Sequence, residues 1–244
     1  MAASFFVNTL QVDFEFVLAM EHTGMARMFK SLEDTGINGF LEASNSVYEG
    51  VVTEIFVNAK VIAGMIVSFI ANRKMVLTKD VFTVACGLPT KGMVGVLDIP
   101  KETVVEMQRR FSGSDMPFKA ASKKKEMKME FHLLHDIVAK ASCVKAGSFD
   151  MVTREKFYLM VAITAGLKGN WAHILFQVLL AMVNNPTRQS QGFVVQVSVL
   201  LENLVKADLE ETVKLHPQKV LNNKSVHTYI KKNLKVIPAG ESRK

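Results

Sequence analysis

The 244-residue chain is poor in cysteine, proline and tryptophan, with two, six and one of these residues respectively. Two cysteines cannot form the dense disulfide framework of a small secreted domain, and each of them lies in an apolar segment. We therefore expect Cys86 and Cys143 to be buried, reduced thiols. The low proline content and the fourteen glycines also exclude collagen-like and low-complexity chains.

The chain also lacks the signals of a secreted or membrane-spanning protein. No Lys or Arg precedes the first apolar stretch, and Asp13 and Glu15 follow it closely. The most apolar windows, 61–71 and 171–183, are shorter than the ~20 residues that a helix needs to cross a bilayer. We therefore predict an intracellular protein of the nucleus or cytoplasm, with no signal peptide, transmembrane segment or membrane partner.

Catalytic and cofactor motifs are scarce as well. A phosphate-binding loop needs a glycine-rich turn followed by Lys-Ser or Lys-Thr, and neither 92–95 nor 166–169 provides one. His132 and His135 stand three positions apart beside Asp136, a spacing that can place two imidazoles on a metal ion. The His-Glu-x-x-His pattern of zinc proteases is missing, so we expect partly buried or surface histidines. The sequence predicts no cofactor, no metal site and no enzymatic activity.

The composition otherwise indicates an ordered globular protein with a basic surplus. Apolar residues make up 49% of the chain and charged residues 22%, which excludes wholesale disorder. The net charge is +7, and the segment from Lys206 to Lys244 holds nine basic residues against four acidic ones. Two groups of lysines are candidate nucleic-acid contacts: Lys123, Lys124 and Lys125, and Lys231, Lys232 and Lys235. The alternative is that both groups are solvated and bind nothing.

Apolar periodicity predicts a mostly α fold, a helical bundle with one small β-hairpin in the N-terminal half. Met25, Met28, Phe29 and Leu32 lie at helical spacing after a break at Thr23-Gly24. Residues 46–59 are typical of a helix with Ser46 as N-cap and Glu49 completing a capping box. Thr78 is a predicted cap for a short helix that Gly87 ends. Another helix follows Pro100 and ends near Phe111.

The β-hairpin is predicted over 60–76, where β-branched and aromatic residues cluster around a turn at 71–74. Residues 112–122 are rich in Ser, Gly and Pro and form a predicted linker between 1–111 and a helical bundle over 123–235. Residues 236–244 form a predicted frayed basic tail. We expect the whole chain to be one compact unit, with Trp171 as an anchor of the bundle core.

Several short strings in this sequence occur together, in order: Val47-Tyr48-Glu49, 54–59, the helix from Thr78 to Phe82, Gly87-Leu88-Pro89-x-x-Gly92, Trp171-x-x-Ile174 and Arg188-Gln189-x-x-Gly192-Phe193. This arrangement, from Val47 to Lys206, resembles the plant transposon protein domain of retrotransposon-derived plant polyproteins. The resemblance implies a capsid-like or adaptor helical module without established enzymatic activity. It implies structural roles for Asn58 at a helix end, for Gly87 and Pro89 at a helix stop, and for Trp171. Cys86 and Ile55 depart from the family pattern, which usually has aromatic residues there.

These observations lead to two functional hypotheses. The first is a non-enzymatic, retroelement-derived helical domain that acts in protein association or gag-like assembly, with itself or with other element-encoded proteins. The alternative is a nucleic-acid-binding protein that uses the basic C-terminal segment.

Overall fold

The computed structural model describes residues 10–42, 46–70, 72–95, 98–142, 150–184, 193–204, 213–214 and 220–233. Over these ranges the protein is mostly α, with a small antiparallel sheet in its N-terminal half. The predicted fold class is therefore confirmed. Each helix in the described ranges is too short or too polar to span a membrane.

The helices occur in both halves of the chain and are numbered in chain order. They are α1 (Phe14–Leu18), α2 (Thr23–Asp34), α3 (Asn38–Leu41), α4 (Glu49–Asn58), α5 (Lys79–Ala85), α6 (Lys101–Phe111), α7 (Met129–Ser142), α8 (Arg154–Thr164), α9 (Trp171–Asn184), α10 (Val194–Leu204) and α11 (Asn223–Asn233). A short 3-10 helix, Lys124–Glu126, precedes α7.

The strands form one three-stranded sheet and two short pairs. They are β1 (Gln11–Val12), β2 (Ser46–Val47), β3 (Lys60–Ile62), β4 (Met65–Ile70), β5 (Arg73–Leu77), β6 (Val213–Lys214) and β7 (Val220–Leu221). β1 pairs in parallel with β7, and β2 pairs antiparallel with β6. β3, β4 and β5 form the antiparallel meander.

The sheet has one strand more than the sequence pattern predicted. Ala63 and Gly64 both have positive φ, 50° and 74°, which is the backbone of a tight two-residue hairpin turn. This turn divides the apolar run 60–70 into β3 and β4. The predicted turn near 71–74 joins β4 to β5, with Asn72 at a φ of 61°.

Two predicted helix starts are wrong. Ser46 does not cap α4, because Ser46 lies in β2 opposite Lys214, and α4 begins at Glu49 after Tyr48. Thr23 and Gly24 do not separate helices but open α2, where the His22 ring accepts a hydrogen bond from the Met25 amide at 3.3 Å. In the first case a strand pairing with a distant segment replaces the local cap.

The buried apolar residues of the described ranges form one core cluster, whose members extend from Val12 to Ile230. Trp171 is fully buried, and its indole Nε1 donates a hydrogen bond to the carbonyl oxygen of Thr35, at 2.9 Å, at the end of α2. The Ala172 amide donates to the Pro89 carbonyl oxygen at 3.1 Å. The start of α9 is thus fixed to two distant chain segments.

Residues 112–122 lie against the second half of the molecule. Phe118 is buried, and its ring stacks on that of Phe157 in α8 with centroids 6.0 Å apart. The Ala121 amide donates to the carbonyl oxygen of Val152 at 2.8 Å. This segment, predicted as a linker, therefore contributes an aromatic ring to the core. The predicted basic tail, 236–244, lies outside the described residues.

Candidate functional site

The three-stranded sheet presents an exposed face of apolar side chains. The alternation of side chains along each strand and the strand register place seven residues on it. We call these residues the outer face: Ile62, Met65, Val67, Phe69 and Val76, with Lys60 and Lys74.

The opposite face of the same sheet packs into the core. Ile66, Met75 and Leu77 are buried and lie against Ile55 of α4 and Leu179 of α9. The buried Ser68 hydroxyl donates to the carbonyl oxygen of Ile55 at 2.8 Å, so the only polar side chain on the buried part of β4 has a partner. These contacts fix the orientation of the sheet and leave the outer face pointing away from the core.

The outer face combines an apolar centre with basic edges. Phe69 is 48% exposed and Ile62 is 51% exposed, although large apolar residues are normally covered by the fold. Val67 on the central strand pairs with Lys60 on β3, and Phe69 pairs with Lys74 on β5. Both lysines are exposed, and none of the seven residues carries a carboxylate.

The sequence reasoning missed the outer face because it predicted one strand pair over 60–76. The missed signal is Ala63-Gly64, a turn pair with glycine second, followed by the alternation of Met65, Val67 and Phe69 with the residues between them. Exposure could not be read from this alternation, since both sides of β4 are apolar apart from Ser68.

One lysine of the first predicted group lies at a buried carboxylate, Asp136, and so does Tyr229, which precedes the second group in the chain. Lys124 Nζ lies 2.6 Å from Asp136 Oδ1, and Tyr229 of α11 lies close to the same carboxyl group. Burial raises the pKa of Tyr229, and the neighbouring Asp136 carboxylate raises it further. Asp136 thereby joins the 3-10 helix, α7 and α11.

This arrangement divides the candidate nucleic-acid contacts into two kinds. Lys124 is turned onto Asp136 and is mostly buried, so its charge is neutralised within the protein. Lys123, Lys125, Lys231 and Lys232 are exposed. Lys235 lies outside the described residues.

His132 and His135 are both buried, more deeply than the partly buried or surface histidines that the sequence predicted. His135 is fully buried, and its Nδ1 lies 3.8 Å from Asp136 Oδ1, which is too far for a hydrogen bond. Among the described residues, neither nitrogen of His135 nor Nε2 of His132 has a hydrogen-bond partner.

The pKa shifts in this cluster follow from burial and from Lys124. Burial lowers the pKa of His132, and the positive charge of Lys124 lowers it further. Burial by itself raises the pKa of Asp136, but the neighbouring His135 ring and the Lys124 ammonium lower it by more. Asp136 is therefore ionised at neutral pH and His132 is neutral.

The cluster has side chains of metal-ligating type but not the arrangement of a metal centre. Among the described residues, no group of three or more His, Cys, Asp or Glu side chains could hold a metal ion. Cys86 is a free, buried thiol, as predicted, and burial raises its pKa to about 12. Such a thiol is neither a nucleophile nor a metal ligand at neutral pH. Cys143 lies outside the described residues.

A cavity of about 380 Å³ lies beside the 3-10 helix, between residues 112–118 and the side chains of Lys125 and Glu126. Its two charged lining residues have opposite signs, so the cavity has no charge that would select an anionic ligand. The hydroxyl of Ser112, on its wall, is already bonded to the backbone of residues 114 and 116.

Asn58, Gly87 and Pro89, to which the resemblance assigns structural roles, lie at or shortly after the ends of helices. Asn58 is the last residue of α4, and its Nδ2 donates to the carbonyl oxygen of Phe69 at 3.4 Å. Gly87, with a φ of 58°, follows α5. Pro89 packs against Gly36, and its carbonyl oxygen accepts from the first turn of α9. These contacts concern packing and do not bear on origin.

Comparisons with protein families, with curated proteins and with solved structures find no match for this chain. The resemblance to the plant transposon protein domain therefore stays a prediction.

Proposed function

We propose that this chain is a protein-association module that binds another protein chain through the outer face and has no catalytic role. The observation that carries the proposal is the set of five contiguous apolar side chains on a rigid, core-backed sheet, with Phe69 and Ile62 about half exposed. Contiguous exposed apolar patches on soluble proteins mark binding surfaces. Aromatic side chains such as Phe69 are enriched at the centres of such surfaces.

The resemblance to a capsid-like or adaptor module of retroelement polyproteins is compatible with this role. A protein-association role allows two kinds of partner, a second copy of the chain or another protein. Both would cover the same apolar residues, so one substitution tests them together.

The test is site-specific crosslinking from the outer face in cells that express the chain. A photoreactive phenylalanine analogue at position 69 should give a discrete protein adduct. The same analogue at position 84, where Val84 is 83% exposed on α5, is the matched control and should not. The crosslinked protein is then identified, and both proteins are purified for a binding measurement. We expect Phe69→Thr to weaken the binding of this chain to that protein about tenfold or more. Equal adducts at both positions, or unchanged affinity of Phe69→Thr, would contradict the proposal.

A second candidate function is binding of nucleic acid by the exposed lysines of the two basic segments. The observation in its favour is that Lys124 and Tyr229 share the Asp136 carboxylate. The shared carboxylate links the segment that carries Lys123 and Lys125 to the helix that carries Lys231 and Lys232. These four exposed lysines are the candidate phosphate contacts.

Salt dependence tests this second function. Binding of a short duplex DNA should weaken steeply between about 50 and 200 mM salt, with the logarithmic slope reduced by about 0.9 for each phosphate contact removed. Lys125→Gln should reduce the slope. Lys91→Gln, a change at an exposed lysine outside both basic segments, should leave it unchanged. The same slope for wild type and Lys125→Gln would count against phosphate contact by this segment.

A further inference from the structure

We propose that the natural partner of the outer face is an acidic amphipathic helix of another protein, with an apolar stripe flanked by Asp or Glu on both sides. This inference rests on the proposed function and adds the chemistry of the partner. Two observations support it: the distribution of charge on the face and the size of the face.

The charges of the outer face lie on its two edges. Lys60 is on β3 and Lys74 is on β5, while the central strand contributes Met65, Val67 and Phe69. Lys60 is opposite Val67 and Lys74 is opposite Phe69, so the two ammonium groups flank the same stretch of apolar surface. A segment lying along β4 would meet a positive charge on each side. Carboxylates at those places would be paired, whereas lysines would be repelled.

A second copy of the chain fits this surface poorly. Packed face to face, two copies would bring four lysines and no carboxylate of the outer face to one contact. The area is also small. Three strands and six residues span about 14 Å by 20 Å, roughly 300 Å², whereas a stable interface buries about 800 Å² on each partner.

One helix fits the same dimensions. An α-helix with its side chains is about 10–12 Å wide, close to the width of the sheet, and about 13 residues cover its length. Such a helix would lie along β4. Its apolar residues, at positions i, i+3, i+4 and i+7, would pack against Val67, Phe69 and their neighbours. Contacts of this size are typical of weak, reversible binding.

The experiment measures binding of two synthetic helical peptides to the full chain by fluorescence anisotropy. Both peptides carry the same leucine stripe, flanked by Glu in one and by Lys in the other. The wild type should bind the Glu peptide at least about tenfold more tightly than the Lys peptide. The Phe69→Thr variant should bind neither peptide. The double variant Lys60→Glu, Lys74→Glu should reverse the preference. Val84→Thr is the control and should bind like the wild type. Circular dichroism checks that each variant is folded.

The outcomes separate this inference from the proposed function. If Phe69→Thr loses both peptides but the wild type binds them equally, the face associates with proteins and the acidic partner is wrong. If binding is insensitive to Phe69→Thr, the outer face is not the docking surface and both proposals fail. A crosslink from position 69 to a second copy of this chain would support protein association and overturn the acidic helix. Binding of neither peptide by the wild type would also overturn it.

Discussion

Gly92 occupies a place where the backbone leaves no room for a side chain. It has a φ of 115°, and a Cβ atom built there would collide with the carbonyl oxygen of Lys168. The next residue, Met93, donates its amide to that same oxygen at 3.0 Å, and its own carbonyl oxygen accepts from the Asn170 amide at 2.9 Å. The loop after α5 is thereby joined to the residues that lead into α9.

We expect Gly92→Ala to lower the free energy of unfolding by about 3 kcal/mol or more, because backbone strain and a backbone collision act together. Gly64→Ala is the matched control, since Gly64 also has a positive φ, of 74°, but lies in open space. The control should lower the free energy of unfolding only by the backbone strain of a positive φ, about 1–2 kcal/mol. Urea denaturation followed by the fluorescence of Trp171, the sole tryptophan, measures both. Equal losses would mean that the close approach to Lys168 is unimportant.

At the scale of elements, α7 is a buried helix whose side chains make both apolar and polar contacts. Leu133, Leu134 and Ile137 enter the core, while His132, His135 and Asp136 are equally buried. The polar group joins α7 to the 3-10 helix through Lys124 and to α11 through Tyr229. The contact between Lys124 and Asp136 is an ion pair, so it depends on the charge of Asp136.

We expect the free energy of unfolding to fall as the pH is lowered from 7. His132 has a folded-state pKa below 6.5, so the unfolded chain binds more protons just below that pH. The contribution of His132 to the free energy of unfolding is complete above pH 6.5. It is lost as the pH falls from 6.5 to the lower pKa of the folded state, and the free energy of unfolding then changes by up to about 1.4 kcal/mol per pH unit. Asp136 also has a lowered pKa, so its contribution, complete above pH 3.8, is lost below that value.

Chemical denaturation between pH 7 and 4 measures this dependence. His132→Leu should reduce the slope below pH 6.5, whereas His227→Gln, a change at an exposed histidine of α11, should leave it unchanged. A His132→Leu protein with the wild-type slope would show that the buried imidazole does not govern acid stability.

At the scale of the whole molecule, one core of buried apolar residues connects the two halves of the described chain. Apolar residues from Val12 to Ile230 belong to it, and Phe118 enters it from the segment that was predicted as a linker. The predicted helices were found because their apolar spacing is local: Met25, Met28, Phe29 and Leu32 in α2 are all buried. Ser46 was misplaced because its strand partner, Lys214, is distant in sequence.

The sequence by itself determined the mostly α character, the ends of several helices and the burial of Trp171. These properties depend on side-chain spacing, on capping residues such as Thr78 and Thr153, and on glycines such as Gly87, all of which act over a few residues.

Only the tertiary structure decided which apolar strand face stays uncovered and which lysines remain free. Both faces of β4 are apolar, and packing of α4 and α9 against one of them leaves the other as the outer face. Lys123, Lys124 and Lys125 are equivalent in sequence, but only Lys124 is paired with Asp136. Burial and charge pairing depend on residues far apart in the chain, and folding alone brings those residues together.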